Sequence, residues 1–300
     1  MYKYKIFGLK VLSDIKLDCF FIDFDKPEVI IQESDIGGIC DVQKFIKISP
    51  THSILNMSGI AKYDITNGNQ INYKKDYGAK NDEFVLYLLG TVFGTLMMQR
   101  NEFPLHGSVV KKEDVCIAIL GNSGAGKSSL AVGLSLDGWE ILTDDVIRTN
   151  LFGHSVHVNC SYPSSKLWDK SLDELGLNSS GLNAVVKKEN KFYYKNDDIY
   201  SRSPELLNYT IELVPGDVDE VTIVTLNLKE TLELLIRNSY RYFVLEYSGQ
   251  ISDHFKYMSR ICSKVKGYRI IRPTDRFTVK DQIKLINEVI RGDLDEEICI

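Results

Sequence analysis

The chain lacks any Cys-x-x-Cys pair. Its six cysteines, Cys19, Cys40, Cys116, Cys160, Cys262 and Cys299, are too scattered to suggest a disulfide framework or a zinc ribbon. Reduced thiols and a cytoplasmic location are the expectation. Positive charge is not in excess: 36 Lys and Arg stand against 41 Asp and Glu, a net charge of −5 that gives no global attraction to nucleic acid or to an anionic membrane. Neither is expected as a partner. Long apolar runs are missing too. The N-terminal MYKYKIFGLKVLSDIK has no apolar signal core, and the stretch from Phe84 to Met98 falls short of the ~18 residues of a membrane span. Gly90 and Gly94 interrupt it, so a buried helix is expected. The H-R-D and D-F-G signatures of eukaryotic-type kinases are absent, as is the N-K-x-D guanine signature, and no internal repeat is evident.

What remains is ordinary globular composition, 44% hydrophobic and 26% charged, over a length that fits one large or two modest domains. Residues 1–80 carry short β-rich runs (KYKIFGLKVL, CFFIDF, EVIIQ) and an Asn67-Gly68 hairpin signal, which reads as a β-rich N-terminal module serving as scaffold or substrate platform. From Asn81, a candidate N-cap, the pattern turns helical to about "QRNEF". Residues 81–300 then alternate as α/β proteins do. Val115 to Leu120 is a continuously apolar strand, followed by a glycine-rich turn, a helix to about Leu136 and a strand from Trp139 to Val146. "LFGHSVHVNC" reads as a hairpin, "SKLWDKSLDELGL" as an amphipathic helix stopped by Gly176, and Val185 to Tyr200 as a polar, Lys-rich loop. Further on, "DEVTIVTLNL" is a strand, "KETLELLIRNSYRYFVLE" and "ISDHFKYMSRICSKV" are helices, "YRIIRP" is a short strand and a last helix starts near Val279.

Three short stretches carry chemistry. Gly121-Asn122-Ser123-Gly124-Ala125-Gly126-Lys127-Ser128 fits G-x-x-x-x-G-K-[ST] in full, with Ser129 continuing into the helix. Backbone N–H groups freed by the glycines converge on phosphate oxygens, Lys127 reaches β- and γ-phosphates, and the Ser128 hydroxyl can ligate Mg²⁺. Asp144-Asp145 closes the next strand, the place where a P-loop sheet holds the acid that supports Mg²⁺ or takes the acceptor's proton. His106-Gly107 leads into the P-loop strand.

Taken together, "LHGSVV", "GNSGAGKSS" and "ILTDDV" resemble the catalytic domain of HPr kinase/phosphorylase and the wider HPr-kinase-like family, over about Phe103 to Gly176 and more weakly to about Phe277. "YPSSKLWDKSLDELG" looks like the HPr-kinase-related branch found beside peptide natural-product genes, whose reported activity is phosphorylation of a precursor-peptide serine, as in lasso-peptide tailoring. The resemblance implies an ATP- and Mg²⁺-dependent P-loop kinase domain of α/β fold, to which the small β-rich N-terminal module read from residues 1–80 is added. It implies that His106 is an active-site histidine, that Lys127 and Ser128 hold phosphate and Mg²⁺, and that Asp144 and Asp145 are the acidic pair. Either Asp fits either role; Asp145 is taken as base and Asp144 as the metal-side acid. One departure is plain: "LVPGDVDE" lacks the arginines of the family's phosphorolysis motif, so neither phosphorylase activity nor HPr as partner is implied.

Other features are set aside. In His154-x-x-His157-x-x-Cys160, positions three apart face opposite sides of a strand, so His154 and His157 would diverge rather than share a metal. Lys187, Lys188, Lys191 and Lys195 read as a solvated loop, and the basic residues from Lys256 to Lys284, with Lys256, Arg260 and Lys264 on one helical face, as a wet face or a dock for an acidic peptide or nucleotide phosphate. The expected function is transfer of the ATP γ-phosphoryl group to a serine hydroxyl of a peptide or small protein. A small-molecule kinase, with a closed pocket, is one alternative; a nucleotide-binding regulatory protein without phosphotransfer is another. The oligomeric state and the acceptor are left open.

Overall fold

The computed structural model describes residues 1–37, 45–185 and 190–298. Cys40, Lys187, Lys188 and Cys299 lie outside them. The protein is a mixed α/β fold whose N-terminal part is β-rich, as its alternating sequence requires. Eight strands form one sheet in the spatial order Phe20–Phe21, Tyr2–Ile6, Leu9–Ser13, Val29–Glu33, Gln70–Lys75, Ala61–Thr66, His52–Met57, Phe45–Ile48. Strict burial alternation along Ala61–Thr66 turns Tyr63 and Ile65 inward. Asn67 and Gly68 both adopt positive φ, which turns this strand back into Gln70–Lys75 as the dipeptide predicts.

The segment after residue 80 is helical, in three pieces. Asn81–Tyr87 and Phe93–Gln99 are α-helical, and Leu88–Val92 between them is a π-helix. The N-cap is Lys80 rather than Asn81, and it makes no side-chain cap bond. Phe84, Leu88, Val92, Phe93, Leu96 and Met97 bury this helix against the N-terminal sheet. Gly90 and Gly94 have a packing reason. A Cβ at either would stand 2.9 Å from the Tyr240 side chain, so the two glycines make room for that ring.

The second sheet has six strands in the order Glu140–Ile147, Leu105–Lys112, Val115–Leu120, Tyr209–Pro215, Lys266–Arg272, Thr222–Leu226. Val115–Leu120, Tyr209–Pro215 and Lys266–Arg272 run parallel, while Leu105–Lys112, Glu140–Ile147 and Thr222–Leu226 pair antiparallel. All six residues of Val115–Leu120 are buried because helices cover both faces. Lys127–Leu136 and Val279–Ile298 pack on one face through Leu130, Leu134, Val279 and Ile286. On the other face, Leu228–Arg237 and Ile251–Cys262 pack through Leu234, Leu235, Met258 and Ile261.

Three expectations are corrected. "SKLW" does not start a helix: Ser165–Trp168 is a strand paired with Lys191–Tyr194, and the helix is only Asp169–Glu174. Ser165 and Leu167 are buried and Lys166 and Trp168 are not, a period of two that the following helical run masks. The Val185–Tyr200 loop correspondingly contains a strand. "KETLELLIRNSYRYFVLE" is two helices, Leu228–Arg237 and Tyr242–Ser248. Asn238 ends the first by donating from Nδ2 to Leu234 O (2.9 Å), Tyr240 N bonds Pro104 O (2.8 Å), and Arg241 turns left-handed at φ 54°. That break delivers Asn238 to the P-loop and Tyr240 to His106.

Candidate functional site

Chain geometry dictates the loop. Gly121, Gly124 and Gly126 take φ of 136°, 86° and 106°, values that a side chain resists, and a Cβ on Gly121 would meet Leu213 O at 2.5 Å. Asn238 Oδ1 accepts from Gly121 N (2.9 Å) and pins the start of the turn. Gly126 is the N-cap of Lys127–Leu136, so the loop amides converge at the helix start. Lys127 Nζ folds back onto this cradle, donating to Gly121 O (2.8 Å) and Asn122 O (3.1 Å). Burial lowers its pKa, and Asp144 and Asp145 partly oppose that. On the other rim, Arg272 Nε donates to Ala125 O (2.9 Å) from the carboxyl end of its strand.

The acids come from the neighbouring hairpin. Glu140–Ile147 pairs antiparallel with Leu105–Lys112, so Asp144 stands opposite Ser108, Asp145 opposite Gly107 and Val146 opposite His106. A Cβ on Gly107 would sit 2.5 Å from Ile119 O, which accounts for glycine beside the histidine. Asp144 is buried, and its Oδ1 accepts from Ser108 Oγ (2.5 Å) and from Ser128 Oγ (3.0 Å). Ser128 and Asp144 therefore present hard oxygen donors at one point. Two protein oxygens suit Mg²⁺, which keeps waters and binds substrate phosphates for the rest of its shell.

Asp145 is held differently. Its φ of 79° lies in the left-handed region on a strand whose register slips between Ile141 and Thr143. A non-glycine residue there costs about 1–3 kcal/mol unless its surroundings over-determine it, and such strain gathers at functional sites. Two partners fix the side chain. Lys166 Nζ donates to Oδ2 (2.7 Å), and His106 Nδ1 lies 3.2 Å from Oδ1 while donating to the Asp145 carbonyl oxygen (2.9 Å). Burial pushes the Asp145 pKa up, but the Lys166 ammonium and the His106 hydrogen bond outweigh it and hold the carboxyl well below its usual range. For Lys166, burial favours the neutral form and Asp145 more than reverses that, so the ammonium persists well above its ordinary pKa. The His106 ring lies 6.1 Å from that of Tyr240, and His106 N bonds Asn238 O (2.7 Å).

The structure thus brings His106, Gly121 to Gly124, Gly126 to Ser129, Asp144 and Asp145 into one cavity of about 660 Å³, whereas Ala125 packs into the core and does not line it. Sequence reading missed Lys166, Asn238 and Tyr240 in its walls, and had Arg272 only among the basic residues read as a wet face or a dock for an acidic peptide or nucleotide phosphate. Arg272, at the carboxyl end of a parallel strand, could have been found from the rule that ligands bind there. Lys166 was hidden by the helical reading of "SKLW". His154 and His157 do not approach the site: His154 meets Lys264, and His157 packs against Phe152. No helix is long and apolar enough to cross a membrane among the described residues.

No family model matches the chain, and no curated protein matches it. Among solved structures it is similar to the HPr(Ser) kinase/phosphatase from Coxiella burnetii, at 13% identity and a TM-score of 0.35, over 65% of this chain and 97% of that one. A likeness of this size assigns neither an activity nor a residue role here.

Proposed function

We propose that this chain is an ATP- and Mg²⁺-dependent kinase that transfers the γ-phosphoryl group to a serine hydroxyl of a peptide or small protein, a ribosomal natural-product precursor peptide being one such acceptor. The observation that supports it most is the joint placement of Ser128 and Asp144 on one oxygen contact, beside Asp145 on a strained backbone. A phosphate-binding loop alone needs only its amides and lysine. A second carboxylate, held by Lys166 and His106 rather than by the metal-side hydroxyls, is what a proton-accepting step adds.

In this reading the loop amides and Lys127 hold the phosphates, Lys127 leaving its bonds to Gly121 O and Asn122 O. Ser128 and Asp144 would hold Mg²⁺, which supplies charge neutralisation on the phosphates when bound. Asp145 takes the acceptor's proton, and His106 orients it through the backbone carbonyl. Lys166 adds positive charge where the transferring group gains negative charge. Residues 1–80 act as a platform beside a kinase unit of residues 81–300, and the reaction belongs in the cytoplasm. The described cysteines, all free and buried, suit a reducing compartment.

A second reading, a small-molecule kinase, is favoured by one observation: Leu86 and Tyr87 wall the cavity as well as Arg241. Calorimetry tests what both readings share. Lys127→Ala is expected to weaken Mg·ATP binding at least tenfold, because the only P-loop cation is lost. Unchanged affinity would remove the phosphate site from the account.

A further inference from the structure

The residues that line the cavity come from segments on both faces of the six-stranded sheet, and these two sets define its two arms. One is walled by His106, Tyr87, Tyr240 and Arg241. The other passes the first turn of the P-loop helix and is walled by Trp168, Phe277, Thr278 and Gln282, and a second cavity of about 600 Å³ continues from it past Trp168 and Phe277. Phosphoryl transfer in line puts the acceptor oxygen and the leaving nucleotide on opposite sides of the phosphorus. With the proton acceptor Asp145 beside His106, the acceptor arm is the first. The nucleoside must leave by the second.

That arm holds an unsatisfied polar group. Gln282 is 2% exposed, its Nε2 donates to Thr278 Oγ1 (2.9 Å), and its Oε1 is buried without a partner among the described residues. A buried acceptor left unpaired costs about 1–3 kcal/mol, so its retention in a cavity wall points to a ligand donor. Flat apolar surface accompanies it. Trp168 is 45% exposed although Lys191 Nζ sits 5.3 Å from its ring centroid, and Phe277 is half-buried beside it in both cavities.

We infer that Trp168, Phe277 and Gln282 form a nucleobase subsite for adenine, with the base packed on the aromatic side chains and its exocyclic amine donating to Gln282 Oε1. The inference rests on the nucleotide reading of the P-loop and deepens it.

The experiment compares Mg·ATP, Mg·ITP and Mg·tripolyphosphate by calorimetry in the wild type, Trp168→Ala and Gln282→Met. Tripolyphosphate reports the P-loop alone, and ITP carries a carbonyl oxygen where ATP carries the amine. Wild type is expected to bind ATP at least tenfold tighter than tripolyphosphate and about tenfold tighter than ITP. Trp168→Ala is expected to narrow the first ratio about tenfold, and Gln282→Met to abolish the second, with tripolyphosphate affinity unchanged in both. Fluorescence gives an independent readout. The chain has two tryptophans, and Trp139 is buried, so in Trp139→Phe the emission of Trp168 should be quenched by ADP and not by tripolyphosphate. Ratios unmoved by both variants, with tripolyphosphate still bound, would overturn the subsite and leave the P-loop reading intact. Failure of both ATP and tripolyphosphate to bind would overturn the two together.

Discussion

Lys166→Met tests how the candidate base is held. The change keeps the length and much of the apolar stem of the side chain but removes the ammonium that sits 2.7 Å from Asp145 Oδ2, leaving His106 as the remaining partner of that carboxylate. At an effective dielectric constant of about 20 the gross attraction across that distance is ~6 kcal/mol, most of it offset by desolvation of the two groups. Removing one member of a fully buried pair costs ~3–5 kcal/mol. Here the side chains retain 15% and 27% exposure, so about 2–3 kcal/mol is expected for Lys166→Met. Asp145→Asn is the complementary change, because asparagine removes the charge yet tolerates the left-handed backbone at φ 79°. It should cost a similar amount by leaving Lys166 unpaired. The double variant should then be about 2 kcal/mol more stable than the sum of the two changes predicts. Urea unfolding of the four proteins, followed by far-UV circular dichroism, provides the measurement. Additivity within ~0.5 kcal/mol would show that the two groups do not support each other.

Two further outcomes follow from the same geometry. His254 is buried with Nε2 2.6 Å from Ser239 Oγ, and burial lowers its pKa from 6.5 to about 4. The unfolded chain therefore takes up a proton that the folded one refuses as pH falls from 6.5 to 4, so stability drops across that window by up to ~3 kcal/mol and levels off below it; His254→Gln should flatten the slope. Gly121→Ala should cost more than about 2 kcal/mol and disrupt phosphate binding, since its Cβ would stand 2.5 Å from Leu213 O at a φ of 136°; near-normal stability by thermal unfolding would contradict the strained turn.

The parts of the site that were legible in the sequence are those whose chemistry lies in contiguous residues. The glycine spacing from Gly121 to Lys127 reports backbone angles directly, and Asp144-Asp145 and His106-Gly107 sit on paired strands whose register brings them together. The rest depends on distant segments. Lys166 reaches Asp145 only because Ser165–Trp168 is a strand, and its alternation was masked by the helical run after it. Asn238 and Tyr240 enter through a helix break that the apolar periodicity of residues 228–246 does not announce, since helical pattern continues on both sides. The glycines of the apolar run after Phe84 were legible as interruptions. Their purpose, space for the Tyr240 ring beside His106, needed the fold.

In the proposed reaction Asp145 accepts a serine proton during phosphoryl transfer while the loop holds the nucleotide. Its most direct test is transfer of label from [γ-³²P]ATP, with Mg²⁺, to a serine-peptide library by the wild type and by Asp145→Asn, with ATP affinity measured beside it. Phosphoserine is expected from the wild type, with a rate about 10²- to 10⁴-fold lower from the variant at unchanged ATP affinity. Near-normal transfer by Asp145→Asn, or release of ADP from the wild type with no labelled peptide, would contradict it.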